Sequence, residues 1–167
     1  MKKFISLVIV LALLSAFPLQ SFAVNCQYAT TQSFLDYLDQ RGVRYNWLGL
    51  SSSGDEQVRV SYSGDNKDSI ETNWFFKEDE VGIRVWDIIT YSSQEYYYVL
   101  DAVNSLESRY RYTYLFLDPS DNTVTAQFDF PLAGNGMGEI CYEVLRNLLV
   151  VIDDFAYPEL RQFDTTG

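Results

Sequence analysis

The 167-residue chain has no histidine and only two cysteines, Cys26 and Cys141. Without imidazole there is no Ser-His or Cys-His nucleophile pair and no His-containing zinc site, and two thiols fall short of a four-cysteine metal cluster. Cations are scarce as well. Lys+Arg number 12 against 23 Asp+Glu, a formal net charge of -11. Nucleic-acid phosphates require clustered Lys and Arg, so nucleic acid is not the expected partner. Internal repeats and low-complexity linkers are missing too, and the length suits one domain with a real core. No catalytic motif, cofactor fingerprint or metal-ligand spacing is visible, which points away from an enzyme and from a bound cofactor.

What is present begins with an export signal. Lys2 and Lys3 precede an uncharged, mostly apolar stretch from Phe4 to Phe17, and Ser21 and Ala23 place small residues where a signal peptidase reads. At about 14 residues the stretch is shorter than the roughly 20 that a bilayer-spanning helix needs. Residues 1–23 are therefore expected to be a signal peptide removed after Ala23, sending the chain to the periplasm or the medium. Residues 24–167 then form a single domain. Loss of Lys2 and Lys3 leaves 10 basic residues against 23 acidic ones, net -13. Such a domain repels anionic membrane surfaces and makes no stable membrane association.

Beyond Val24 the hydrophobic period switches between helical and strand-like. Thr30 or Thr31 opens a helix with Phe34, Leu35 and Leu38 on one face, and Gly42 stops it. Tyr45 to Leu50 reads as a short strand. Val58, Val60 and Tyr62 alternate with Arg59 and Ser61; Ile70, Thr72, Trp74 and Phe76 alternate with Glu71, Asn73, Phe75 and Lys77. Ile83 and Val85 oppose Arg84 and Trp86. Short polar turns join these runs, which means antiparallel pairing. Ser92 and Glu95 make a capping box ahead of a helix bearing Tyr96, Val99, Leu100, Val103, Leu106 and Tyr110. Tyr112, Tyr114 and Phe116 share one face of the next strand, and Val124, Ala126, Phe128 and Phe130 mark the last. A final helix is expected from about Asn135 to Phe155, ended by Pro158, with Glu159 to Phe163 adding one terminal turn. Three amphipathic helices and one antiparallel sheet give an α+β two-layer domain.

Several residue groups invite a functional reading. Gly134-Asn135-Gly136-Met137-Gly138 precedes a helix but lacks the spacing of a phosphate-binding loop, so a loop and helix start is expected. Asp65, Asp68, Asp118, Asp121 and Asp129 lie in or beside turns. None follows EF-hand spacing, and turn aspartates bond their own backbone. Tyr96, Tyr97 and Tyr98 are about 100° apart on a helix, so at least one of Tyr97 and Tyr98 faces outward. An oxidising compartment favours a disulfide between Cys26 and Cys141; Cys141 lies on an apolar helical stripe, where a buried free thiol is the competing expectation.

These stretches together resemble the YbjN family, whose members are described as candidate regulators of bacterial sensory transduction. The residues that carry the likeness are Val58 to Ile70 (VRVSYSGDNKDSI), Ile83 to Ile89 (IRVWDII), Tyr114 to Phe130 (YLFLDPSDNTVTAQFDF) and Gly138 to Leu160 (GEICYEVLRNLLVVIDDFAYPEL). It covers about residues 30 to 162. The resemblance implies an α-β-β-β-α-β-β-α domain with the fold of type III secretion chaperones, small acidic dimers that bind extended segments of client proteins. On that likeness a homodimer is expected, with the outer face of the second helix around Tyr97 and Asp101 as the candidate self-association surface.

The pleat supplies a second surface. With Ile70, Trp74, Ile83, Val85, Val124 and Phe128 turned to the helices, the opposite face carries Arg59, Ser61, Glu71, Asn73, Arg84, Thr113, Thr125, Gln127 and Asp129 around Phe75, Trp86 and Leu115. An apolar trio within a polar rim has the composition of a protein-binding face. The sequence thus reads as an exported, non-enzymatic binding domain whose ligand is a protein segment or another copy of the chain. The alternatives are a carboxylate-dependent hydrolase acting outside the cytoplasm, for which no pair of acids is singled out, and a structural envelope protein.

Overall fold

The computed structural model describes residues 24–110, 114–132 and 137–166. Residues 1–23, expected to be a signal peptide, Tyr112 and Thr113, and Gly134 to Gly136 lie outside the described residues. Helix α1 (Ala29–Gln40) forms where the sequence sets Phe34, Leu35 and Leu38 on one stripe, and all three are buried. No side chain caps it from its own N-terminus. Instead the buried Glu56 carboxylate accepts the amides of Gln27 and Tyr28, the latter at 3.0 Å. Gly42 takes φ +68° just past the helix, and the amides of Gly42 and Val43 return to the carbonyls of Asp39 and Leu38. That is the glycine stop expected, and it satisfies carbonyls the helix end would leave orphaned.

Six strands follow the period-two runs: β1 (Asn46–Leu50), β2 (Glu56–Tyr62), β3 (Ile70–Phe76), β4 (Glu80–Thr90), β5 (Tyr114–Asp118) and β6 (Thr123–Pro131). They build one antiparallel sheet in the order β1-β2-β3-β4-β6-β5. Four strands precede the second helix, because the short run ending at Leu50 is a strand in its own right. Register aligns Val58, Trp74, Ile83 and Phe128 in one inward row and Val85, Ala126 and Leu115 in the next. Phe34 of α1 meets Trp74 and Phe76 with ring centroids 4.4 and 5.6 Å away. Trp74 Nε1 donates to Thr72 Oγ1 at 3.0 Å, and that hydroxyl donates to the Val60 carbonyl at 3.2 Å. The polar atoms of this buried seam are thereby paired, as burial demands.

Leu115 is the correction on this sheet. It is 5% exposed and pairs with Ala126 on the helix side, whereas Tyr114 and Phe116 point outward. The inner side of β5 lies under the second helix, so the aliphatic Leu115 takes a buried position and Leu117 a half-buried one. Alternation alone gives two sets of residues; only pairing with β6 decides which set faces in.

Helix α2 (Tyr96–Arg109) is entered through a 3-10 turn at Ser93–Glu95 and buries Val99, Val103 and Leu106. Ser92 caps the 3-10 turn, its Oγ accepting the Gln94 amide at 3.4 Å, and the Glu95 amide donates to the Ser92 carbonyl at 2.8 Å; the Glu95 side chain does not complete the expected box, and no side chain caps α2 itself. Helix α3 (Met137–Val150) packs on α1 so closely that a Cβ on Gly138 would collide with the Ser33 carbonyl. The chain does not stop at Pro158. It widens into a π-helical segment (Val151–Ala156) and continues through α4 (Tyr157–Leu160) to a 3-10 turn at Arg161–Phe163. Pro158 sits in the first turn of α4, where a missing amide is tolerated. The π segment also aims Asp153 at the β2–β3 turn. Its carboxylate accepts the amides of Asp65, Asn66 and Lys67 at 2.7, 3.1 and 2.8 Å. Gly64 lies against the same carboxylate and has no space for a side chain.

Candidate functional site

The helices and the inward rows of the sheet form one core; Phe75, Trp86, Tyr114 and Phe116 stand outside it on the other face. Register orders that outer face. Arg59, Asn73, Arg84, Gln127 and Tyr114 lie in one cross-strand row, and Gln57, Phe75, Gly82 and Asp129 in the next. Arg84 forks onto Asp129, with Nη1–Oδ1 2.6 Å and Nη2–Oδ2 3.2 Å, and Gln127 Nε2 donates to the same carboxylate at 2.6 Å. A Cβ at Gly82 would come within 2.7 Å of Asp129 Oδ1, so the fork needs glycine beneath it. Arg59 Nε donates to Asn73 Oδ1 at 2.9 Å and its Nη1 stands 3.6 Å from Glu71. Exposed pairs of this kind contribute about 1 kcal/mol or less each. What they provide here is a fixed polar frame.

Trp86 stands within that frame by alternation with Gly82 and Arg84, and β4 bulges there. Val85 pairs with Ala126 and Ile89 with Val124, leaving three residues of β4 opposite one of β6. Asp87 takes φ +55°, a conformation few non-glycine residues adopt. Trp86, beside the bulge, is 47% exposed. Phe75 meets it edge to face, centroids 5.9 Å apart at 74°. Such pairs contribute about 0.5–1.5 kcal/mol beyond area burial, so the indole has a set orientation. It separates two hollows on the open face. One, about 290 Å³, is lined by Phe75, Phe116, Arg84, Lys77 and Asp129; the other, about 240 Å³, by Arg59, Lys67, Glu71, Asn73 and Asp87.

Phe116 thus takes the place expected for Leu115, while Phe75 and Trp86 stand where the pleat put them. Every acid of the larger hollow has a cation beside it: Asp129 has Arg84, and Asp55 and Glu80 have Lys77 at 4.0 and 3.8 Å. The hollow therefore brings together no free carboxylate pair. A larger groove of about 350 Å³ lies on the helix side between β2 and α3, but Asp153 in its wall is committed to three backbone amides. Desolvation pushes the pKa of Asp153 up, and those three bonds together outweigh it and hold the carboxyl below its ordinary value.

The remaining candidates are dispersed. Tyr97, 79% exposed, and Asp101 are on the outer side of α2, far from burial; Tyr98 is exposed too, and Tyr96 packs on the core. Asp118 Oδ1 accepts the amide and hydroxyl of Ser120 at 2.9 and 2.6 Å, and Asp121 Oδ1 those of Thr123 at 3.2 and 2.7 Å. The Ser120 hydroxyl and then its amide hold Asp118 below the usual carboxylate range. Among the described residues, no group of three or more Cys, Asp and Glu is arranged to hold a metal ion. Cys26, half-buried, and Cys141, buried, are present as free thiols. Cys141 is buried in the core, where desolvation raises its pKa to about 12; Cys26 reaches about 11 through desolvation and then the charges of Glu56 and Asp36. Neither is a reactive thiolate at neutral pH.

Neither a protein-family model nor a curated protein matches the chain. A solved structure does: YbjN from E. coli, described as a candidate transcription regulator, aligns at TM-score 0.51 and 10% identity over 74% of this chain and 89% of that one. The fold is that of YbjN. At 10% identity the YbjN likeness concerns the course of the backbone. The aromatic outer face is a property of this chain's own residues.

Proposed function

We propose that the protein is exported with residues 1–23 removed and works as a non-enzymatic binding domain, holding an extended segment of a protein partner on the open face of its sheet. The observation that carries this reading is Trp86, half exposed on an uncovered sheet face yet held edge-on by Phe75, with Phe116 across the adjoining hollow. Aromatic anchors inside a polar rim are the residues that dominate protein interfaces. A solved protein with this fold is described as a candidate transcription regulator. Its transcriptional description is not carried over, because a chain of net charge -11 offers phosphates little to bind.

Replacing Trp86 by Ser tests the proposal. Trp86→Ser is expected to lower stability by about 1–2 kcal/mol, for a half-buried ring and its edge-to-face contact, and to abolish capture of the partner from the envelope or medium of the producing cell. Tyr97→Ser should leave capture intact. A large fall in thermal stability, or capture that survives Trp86→Ser, would remove the outer face from consideration.

A further inference from the structure

Among the described residues, three buried side-chain atoms have no hydrogen-bond partner: Thr31 Oγ1, Tyr91 Oη and Asp55 Oδ1. Two of them are hydroxyls. Asp55 Oδ1 differs, because an ionised carboxylate only accepts, and burying it without a donor is unfavourable. The other buried acids are supplied: Glu56 takes two backbone amides and Asp153 three. Asp55 is 9% exposed and is fixed from its own loop. Its amide donates to Ser51 Oγ at 3.0 Å, and its Oδ2 accepts the Ser53 hydroxyl at 2.6 Å. The same aspartate lines the hollow of about 290 Å³ beside Trp86. Lys77 is the cation next to it, 4.0 Å from Oδ1 and 3.8 Å from Glu80, beyond hydrogen-bond reach of both, with half its side chain in solvent.

We infer that this hollow takes the charged end of a lysine or arginine side chain from the bound protein segment, its N–H donating to Asp55 Oδ1 among the rings of Phe75, Trp86 and Phe116. Such an occupant presupposes the segment proposed above for the open face and names its chemistry. Charge selects it. The hollow holds three acids, Asp55, Glu80 and Asp129, against two cations, Lys77 and Arg84, and Arg84 is committed to Asp129. One negative charge is in excess, in a chain of net charge -11 whose field draws cations and repels acidic segments. The rings add to the same preference, since a cation within about 6 Å of a ring centroid is attracted to its face. A metal ion fits less well: among the described residues, no three acids are placed to hold one. The incoming cation displaces Lys77 from Asp55, leaves it to Glu80, and supplies the donor that Lys77 stands too far away to be.

Titration of the purified exported protein with short, end-blocked Val-Thr peptides, followed by the Trp86 indole resonance, tests the inference. The peptides carry one central Lys, Arg, norleucine or Glu. The Lys and Arg peptides are expected to shift the indole signal saturably and to bind roughly tenfold or more tighter than the norleucine peptide. The Glu peptide should not bind, and added salt should weaken the Lys peptide alone. Two variants should move affinity in opposite directions. Asp55→Asn is expected to weaken the Lys peptide by about tenfold, and Lys77→Met, which removes the competing cation, to tighten it by about threefold. Neither should alter the norleucine peptide, whereas a merely structural role for Asp55 would move both peptides together. Norleucine binding as tightly as Lys, or a preference for Lys that survives Asp55→Asn, would overturn the cation site and leave the open face standing. Binding of every peptide unchanged in Trp86→Ser would remove the open face itself. An indole signal that no peptide shifts, or butylammonium binding as tightly as the Lys peptide, would overturn the assignment to a segment's basic side chain.

Discussion

The sheet has two edges, and they are finished in opposite ways. At the β5 edge, α2 covers the inner side, Leu115 and Leu117 face it, and Glu107 of that helix accepts the Leu115 amide at 2.8 Å. At the β1 edge no such acceptor is present among the described residues, and three large apolar side chains face solvent. The contrast gains weight from what the chain does with its acids elsewhere. Glu56 holds the amides ahead of α1, Asp153 those of the β2–β3 turn, and Asp164 that of Thr90 at 3.3 Å. Part of the acidic excess is thus a set of carboxylate clamps on backbone that would otherwise lie open. A protein so supplied with clamps leaves one edge without any.

The largest test of the contrast is Leu115→Ala. If the β5 edge is closed by packing, removing this buried side chain lowers the unfolding free energy by about 2–4 kcal/mol. Leu48→Ala at the other edge, measured at low protein concentration, should stay within about 0.5 kcal/mol. Urea denaturation of both variants decides it, and similar losses at the two edges would dissolve the distinction.

Asp153→Ala comes next. Three amides lose a charged acceptor in a half-buried turn, and a loss of about 2–3 kcal/mol is expected. Gly64→Ala should reproduce much of it, because the added methyl group occupies the place of the carboxylate. The pH dependence has a defined sign. The folded pKa of Asp153 lies below the ordinary value of 3.8, so its contribution is complete above that value and is lost as pH falls through the lower, folded one. Thermal melts taken downward from neutral pH should therefore show native protein losing more stability in that acid range than Asp153→Asn. Parallel curves would mean that the clamp adds nothing.

Much of this was legible in the chain. The inward set Ile70, Thr72, Trp74 and Phe76, the glycine stop at Gly42, and the outward Phe75 and Trp86 all follow from period and turn chemistry, which are local. The misplaced Leu115 and the missing Phe116 share one cause: an edge strand alternates between two plausible sets, and the choice is made by β6 and α2, elements remote in sequence. Pro158 misled for a similar reason, since a proline ends a regular helix but not one that has already widened to π geometry. The clamps were invisible, because nothing near Asp153 in sequence marks an acceptor for amides 86 to 88 residues away.

Glu107→Ala is expected to cost less than either of the losses at Leu115 and Asp153 and bears most directly on how the edges differ. The Leu115 amide would lose its acceptor but gain access to water at the sheet margin, so the cost should be about 1 kcal/mol, less than the full penalty for a buried orphan. Equilibrium stability alone would not separate this from a generic change on the surface of α2. Exchange of the Leu115 amide would. It should quicken in Glu107→Ala while its neighbours inside the β5–β6 ladder keep their protection, and Glu107→Gln, which retains a carbonyl oxygen at the same reach, should restore most of it. If the Leu115 amide exchanges at the same rate in all three proteins, the carboxylate closes nothing, and the β5 edge is protected by the body of α2 alone.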